Sequence, residues 1–282
     1  MMILGIDVGG STTKIVGLNQ RGDVAGMLQV EASDQVTSAF GAFGKFIAAH
    51  KLKMSDITKI VVTGVGASYI TEGMYDIPTT HVDEFLAIGF GGLKLANRNS
   101  AIIVSVGTGT ALVRATDAEI THLGGSGVGG GMLLNLSERF AGAHSFNSLK
   151  NLAFQGNLGK VDLRLSDITT NQIGNLPPTA TVANFGNLKD DATSADIVLG
   201  LTNMIFESIG MMAIFASRND SVKDIVLIGS LSEIEHAHKV FEMLSKLYTD
   251  LHFHIPPHAI YATALGAALS EHRKLSDVKN VS

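Results

Sequence analysis

The chain has 282 residues, 45% of them apolar and 17% charged, with a formal net charge of −5. That is enough apolar material for one large core or two of moderate size, and it excludes a disordered chain. The acidic balance, with no basic run, argues against a nucleic-acid surface. The absence of cysteine excludes disulfides, thiolate metal centres, cysteine-held iron–sulfur clusters and a cysteine nucleophile.

No apolar run reaches the roughly 18 residues of a membrane span. The stretch from Met1 to Asp7 lacks the basic region of a secretion signal. A cytoplasmic protein with no membrane partner is therefore expected. Glycine, at 31 residues, is clustered rather than periodic, which points to tight turns where backbone approaches backbone or a ligand.

In chain order, Met2 to Asp7 is a short apolar run that predicts a strand, and Gly9-Gly10-Ser11 is a turn. Thr13 to Leu18 predicts a second strand, Asn19 to Asp23 a polar turn, and Val24 to Val30 a third strand. Ser33 to His50 carries Val36, Phe40, Phe43 and Ile47 at helical spacing. Lys59 to Thr63 is a short β-branched strand ending in Gly64-Val65-Gly66, and Asp83 to Ala96 reads as a helix.

The pattern then restarts. Ala101 to Val106, Thr110 to Ala115 and Glu119 to Leu123 predict three strands, with Gly107-Thr108-Gly109 at the first corner. Helices are expected over Gly129 to Phe140, Ser194 to Ala216, Ser232 to Tyr248 and Tyr261 to Arg273, and strands over Asp224 to Ile228 and Leu251 to Ile255. The segment from Gly156 to Thr193 is loop-rich. The chain thus reads as two α/β lobes of one plan, each opening on a glycine hairpin and facing a cleft, where small ligands usually bind.

Several segments could carry chemistry. In Asp7-Val8-Gly9-Gly10-Ser11-Thr12-Thr13-Lys14, glycine amides can cradle phosphate oxygens, Asp7 can hold Mg²⁺, and Lys14 can reach a phosphate as a point charge. An ordinary hairpin, with Asp7 satisfying its own turn, reads equally well from these residues. A strand, not a helix, follows the turn, which argues against a P-loop and a dinucleotide fold. Val106-Gly107-Thr108-Gly109-Thr110 stands in the same relation to its strands. Two such hairpins suggest two jaws on one polyphosphate.

Gly124-Gly125-Ser126-Gly127-Val128-Gly129-Gly130-Gly131 precedes a helix, whose free amides and dipole favour phosphate; a flexible loop is the bland reading. No acid lies between Ala143 and Lys160, where a nicotinamide enzyme would place its ribose ligand. Asp83-Glu84 at a helix start is usually a cap and a dipole partner, although phosphoryl transfer to an alcohol does need a carboxylate. Ile228-Gly229-Ser230 suits close approach of adenosine or a plain strand-to-helix turn. His236-Ala237-His238 and His252-Phe253-His254 supply too few partners for a metal site.

This order of motifs, together with Glu84-Phe85, Val182-Ala183-Asn184-Phe185-Gly186-Asn187 and Ala264-Leu265-Gly266-Ala267, resembles type II pantothenate kinases over roughly Met2 to Ser270. The glycine-rich octet and Ala-Asn-Phe-Gly-Asn are its most specific pieces. The resemblance implies an actin-like ATPase or sugar-kinase fold, with a mixed five-stranded sheet and flanking helices in each of two lobes, 1–98 and 99–282. It implies ATP and Mg²⁺ as cofactors, pantothenate as substrate, acyl-CoA as a further ligand, and a homodimer built on long helices.

Residue by residue, Glu84 would be the catalytic base and Asp7 would sit near Mg²⁺. Gly9, Gly10, Ser11 and Lys14 would hold ATP from one lobe, and Gly107, Thr108, Gly109, Gly127, Gly129, Gly130, Gly131, Gly229 and Ser230 from the other. Thr108 would also help bind pantothenate. One position departs from the family: its arginine two residues ahead of the octet is His122 here. Either a protonated His122 acts there, or Arg114 or Arg139 substitutes, or the activity is altered. The alternatives are a kinase of another small alcohol or sugar, or a silent member that binds nucleotide or acyl-CoA. An N-acetylglucosamine-type kinase would place its base in an Asn-Asp pair, which the first lobe lacks. A dehydratase activator on this fold would need a cysteine-held cluster, which this chain cannot build.

Overall fold

The computed structural model describes residues 1–31, 34–218 and 220–279. Strands β1 (Met2–Val8), β2 (Thr12–Asn19) and β3 (Val24–Glu31) form an antiparallel meander. Helix α1 (Gln35–Ala49) follows, capped by Asp34, which accepts from the Thr37 amide. Ser33, where that helix was expected to begin, lies outside the described residues. Strand β4 (Ile57–Thr63) then pairs in parallel with β1, and β5 (Thr79–His81) in parallel with β4, giving the order β3-β2-β1-β4-β5. Helix α2 (Glu84–Ala96) closes the first half.

The second half repeats this. Strands β6 (Ser100–Val106), β7 (Thr110–Thr116) and β8 (Ile120–Ser126) form the meander. Helices α3 (Gly130–Ala141) and α4 (Phe146–Gln155) come next. A small excursion carries β9 (Leu163–Arg164), α5 (Leu165–Ile168) and β10 (Thr181–Ala183). Then come α6 (Ser194–Ser217), β11 (Asp224–Ile228), α7 (Glu235–Leu247), β12 (His252–His254) and α8 (Ala262–Lys279). Strand β11 pairs in parallel with β6 and β12 with β11, so the order β12-β11-β6-β7-β8 reproduces the first sheet strand for strand. The two-lobed α/β fold expected from the sequence is present.

The differences are local. β5 and α4 were not foreseen: the first is three residues long, and the second buries only Leu149 and Ala153. β8 runs past Leu123 to Ser126 through a register shift at Leu112/Val113, with Gly124 at φ +147, so the octet begins inside a strand. The helix expected from Ser232 starts at Glu235, after a 3₁₀ turn over Ser230–Glu233. Helix α6 is long and apolar enough to cross a bilayer by length and composition, against the expectation of no such run. However, 67% of that window is buried, and Val198, Ile205, Phe206 and Ile209 belong to the core of the second lobe. It is a core helix.

The two halves are tied together by a helix exchange. The first sheet packs Leu4, Ile6 and Ile15 against Phe43 and Phe46 of α1 on one face. Its other face packs Ile3, Val16 and Val61 against Ala264, Leu265 and Ala268 of α8. Helix α2, for its part, packs Ile88 against Ile103 and Val113 of the second sheet. Helices α2 and α8 therefore lie together between the sheets. Their crossing is backbone on backbone: a Cβ on Gly91 would stand 1.8 Å from the Ala262 carbonyl oxygen, and one on Gly266 would stand 1.8 Å from that of Ala87.

Candidate active site

In the first lobe three parallel neighbours, β1, β4 and β5, end on the same edge, the place where α/β sheets bind ligands. Asp7 lies at the end of β1, Thr63 ends β4, and β5 leads through Val82 and Asp83 into Glu84. Cross-strand pairing sets both Lys14 and Thr63 beside Asp7. Asp7 is 9% and Lys14 6% exposed, with Lys14 Nζ 3.9 Å from Asp7 Oδ2. Burial raises the Asp7 carboxyl above the usual carboxylate range, and Lys14 opposes the shift.

The adjacent acids divide their labour. Asp83 caps α2, its Oδ1 accepting from the Phe85 and Leu86 amides at 2.9 and 3.1 Å. Glu84 is free of that duty. Its pKa is pushed up to about 7, chiefly by burial and then by the negative charges of Asp7 and Asp83, with Lys14 opposing. A carboxyl poised near neutrality beside a buried Asp–Lys pair is equipped to take a proton.

The two glycine hairpins meet. Gly9 N donates to Thr12 O at 3.0 Å in the first, and Gly107 N to Gly109 O at 2.9 Å in the second. A Cβ built on Gly10 would lie 3.4 Å from Thr108 Oγ1, so the tips face each other across the interlobe gap. The octet is largely consumed by packing on the second hairpin. Gly130 N donates to Gly107 O at 2.8 Å and Gly131 N to Thr108 O at 2.9 Å. A Cβ on Gly129 would stand 2.8 Å from the Thr108 carbonyl oxygen. The expected free amides at the start of α3 are thus corrected: those of Gly130 and Gly131 are already spent. By contrast a Cβ on Gly107 or Gly127 would meet nothing within 4 Å among the described residues, so packing does not require glycine there and a ligand can approach.

Gly229 does need to be glycine: its φ is +94 and a Cβ would stand 2.5 Å from Val106 O. Its amide donates to Ala259 O, bringing the 255–261 segment beside Ser230. A cleft of about 430 Å³ opens next to it, lined by Ser232, Glu233, Pro256, Pro257, His258 and Tyr261 among others.

His122 comes to the site from β8. It is exposed and stacks on Phe85, ring centroids 3.8 Å apart and planes 12° from parallel. The two arginines suggested as substitutes do not join it. Arg114 is committed to Asp220 and Glu119. Arg139 is exposed in the last turn of α3, about 13 Å along the helix from Gly130 at 1.5 Å per residue. Two histidines of the sequence pairs noted above are engaged elsewhere. His254 Nε2 pairs with Asp224 at 2.6 Å; His236 Nε2 meets Asn203 Oδ1 at 2.8 Å, and burial pushes its pKa down to about 4. That second contact belongs to a buried network. Asp162 accepts from the Phe185 amide and from Asn203, which pins the Asn184-Phe185-Gly186 turn to α6, with Phe185 at φ +57.

Sequence reasoning missed Thr63. Its signal was there, a threonine directly ahead of Gly64 at a strand end. The oxygen donors suit Mg²⁺ arriving on a nucleotide. That ion keeps several waters and needs only one or two protein carboxylates besides phosphate, and Asp7 offers a buried one. Among the described residues no three metal-ligating side chains converge, so no all-protein cage competes with this arrangement.

The Fumble family model matches residues 94–270 of the chain. The type II pantothenate kinase of Staphylococcus haemolyticus is 30% identical over 238 residues, covering 81% of this chain and 85% of that protein. That of Staphylococcus epidermidis is 29% identical with the same coverage. Among solved structures, the activator of 2-hydroxyisocaproyl-CoA dehydratase from Clostridium difficile with bound ADPNP has a TM-score of 0.67 at 16% identity, covering 100% of this chain and 98% of that one. A ROK family protein from Streptococcus pneumoniae in complex with sucrose has a TM-score of 0.58 at 13% identity, covering 98% and 100%. These structures share the fold, the two-lobed actin-like ATPase and sugar-kinase architecture.

Proposed function

The chain belongs to the Fumble family, and on that premise we propose how its own residues phosphorylate pantothenate, the entry step of coenzyme A biosynthesis. The observation that carries the assignment of roles is Glu84: a carboxyl at the start of α2, beside Asp7, with a pKa of about 7. Glu84 accepts the proton of the pantothenate hydroxyl. The freed oxygen lone pair bonds to the γ-phosphorus of ATP, the bond from that phosphorus to the β,γ-bridging oxygen breaks, and ADP leaves.

Gly9, Gly10 and Ser11, with Lys14 behind them, hold the phosphates from the first lobe (1–98). Gly107, Thr108, Gly109 and Gly127 hold them from the second (99–282), with Gly129, Gly130 and Gly131 bracing that hairpin. Thr108 also contacts pantothenate. Asp7 holds the Mg²⁺ that comes with ATP, which when bound neutralises charge on the phosphate oxygens. Gly229 and Ser230, with the cleft beside them, take the adenosine end. His122 stands in the family arginine's place, its ring held flat on Phe85. We further propose a cytoplasmic homodimer that also binds acyl-CoA.

ATP turnover by the purified protein, with pantothenate, pantetheine and N-acetylglucosamine offered separately, tests the substrate. Pantothenate turnover is expected; turnover of the sugar alone would overturn the reading. The pH dependence tests the base. Glu84 must be ionised to take the proton, so kcat/KM for pantothenate is expected to rise as pH increases through about 7 and to level off above it. A flat profile between pH 5.5 and 8.5 (roughly a unit and a half either side) would remove Glu84 from that role.

A further inference from the structure

The strand end Thr63-Gly64 carries an unused donor at the site. Thr63 is 1% exposed, and among the described residues its Oγ1 has no hydrogen-bond partner. A buried hydroxyl left unpaired lowers stability, so its retention here calls for a use. It stands beside Asp7 in the β1–β4 pairing, on the sheet face that also carries Lys14. The next residue, Gly64, has φ +93, and a Cβ there would stand 2.5 Å from Asp7 Oδ1. The chain therefore clears a side chain away from the carboxylate at residue 64 while keeping a hydroxyl beside it at residue 63. Lys14, the cation paired with this carboxylate, is 3.9 Å away, too far for a hydrogen bond.

We propose that Thr63 is a positioning residue: its hydroxyl donates to the Asp7 carboxylate in the nucleotide-loaded enzyme and fixes the orientation of the oxygen that faces Mg²⁺. Hydrogen bonds of this kind are often too long in the empty site and tighten when the ligand arrives. Second partners that orient a metal-facing carboxylate are part of the site, and their loss weakens metal affinity.

The test uses nucleotide binding, so it stands apart from the choice of acceptor. A failure of pantothenate turnover would leave it untouched. The affinity for ADP is measured by calorimetry with Mg²⁺ and with a chelator, alongside the melting temperature. Thr63→Val removes the hydroxyl at constant shape. It is expected to melt at or above the wild-type temperature, yet to lose about tenfold or more of the affinity gained from Mg²⁺. Thr63→Ser, which keeps the donor, is expected to stay within about twofold of wild type. If Thr63→Val does not fold, Thr63→Ala against Thr63→Ser makes the same comparison. A valine variant that keeps the full Mg²⁺-dependent gain would overturn the proposal. So would a serine variant that fails to restore it, because the role would then be packing.

Discussion

Glu84→Gln is expected to lower kcat for pantothenate phosphorylation by about 100- to 10,000-fold while leaving the protein folded. Glutamine keeps the size of the side chain and loses only the ability to take the proton. Stability is expected to move the other way. Folding raises this carboxyl from its ordinary 4.5 to about 7 because the ionised form is buried near Asp7 and Asp83. The folded state therefore favours the protonated form. That preference contributes fully below pH 4.5, and it is lost as pH rises towards 7, where the charge must be carried in the site. Above that range the charge costs about 3 kcal/mol on a shift of this size, and an uncharged glutamine removes it. At pH 8 the variant should melt higher than wild type; at pH 4 the difference should vanish. Turnover within tenfold of wild type, or a melting difference independent of pH, would mean that the group is not the base described here.

The same residue shows what sequence could and could not reveal. The meanders were readable because apolar runs of strand length stop at Gly9-Gly10 and Gly107-Thr108-Gly109, and local turn chemistry decides such corners. The doubled plan was readable because it lies in the order of elements. The role of Glu84 was carried by resemblance alone, since an Asp-Glu pair at a helix start looks like a cap. What β5 adds is the placement of the two acids. It is a three-residue strand too short to show a period, and it delivers Asp83 to the cap and Glu84 to the side of Asp7. The octet was misjudged for a related reason. Dense glycine was read as an offer of free amides, whereas much of it lets α3 sit directly on the second hairpin. Contacts between segments distant in sequence leave no local trace. The Asp162–Asn203–His236 network behind the Asn-Phe-Gly turn is of that kind, and so is the commitment of Arg114 to Asp220.

Gly266→Ala is expected to abolish the folded state, or to lower stability by more than about 4 kcal/mol, the range of severe overpacking. The added carbon would stand 1.8 Å from the Ala87 carbonyl oxygen and 2.8 Å from the Gly91 amide nitrogen, and backbone cannot rotate aside as a side chain can. Gly91→Ala meets the Ala262 carbonyl oxygen at the same 1.8 Å and should behave alike. Alanine at Gly41 or Gly44, on the exposed face of α1 where a Cβ meets nothing within 4 Å, is the control and should stabilise by about 0.5–1 kcal/mol. Urea midpoints of the four variants measure this directly. A soluble Gly266→Ala protein with a wild-type midpoint would mean that the α2–α8 crossing is looser than described. The crossing matters for more than stability. Helix α2 begins at Glu84 and packs on the second sheet, while α8 comes from the second half of the chain and packs on the first. Seating α2 against α8 therefore sets where the carboxyl of Glu84 stands relative to the hairpin at Thr108. On the proposed roles, any variant that loosens this contact without unfolding the chain should lose turnover before it loses nucleotide binding, because Glu84 and the second-lobe hairpin would then no longer be held in register across that seam.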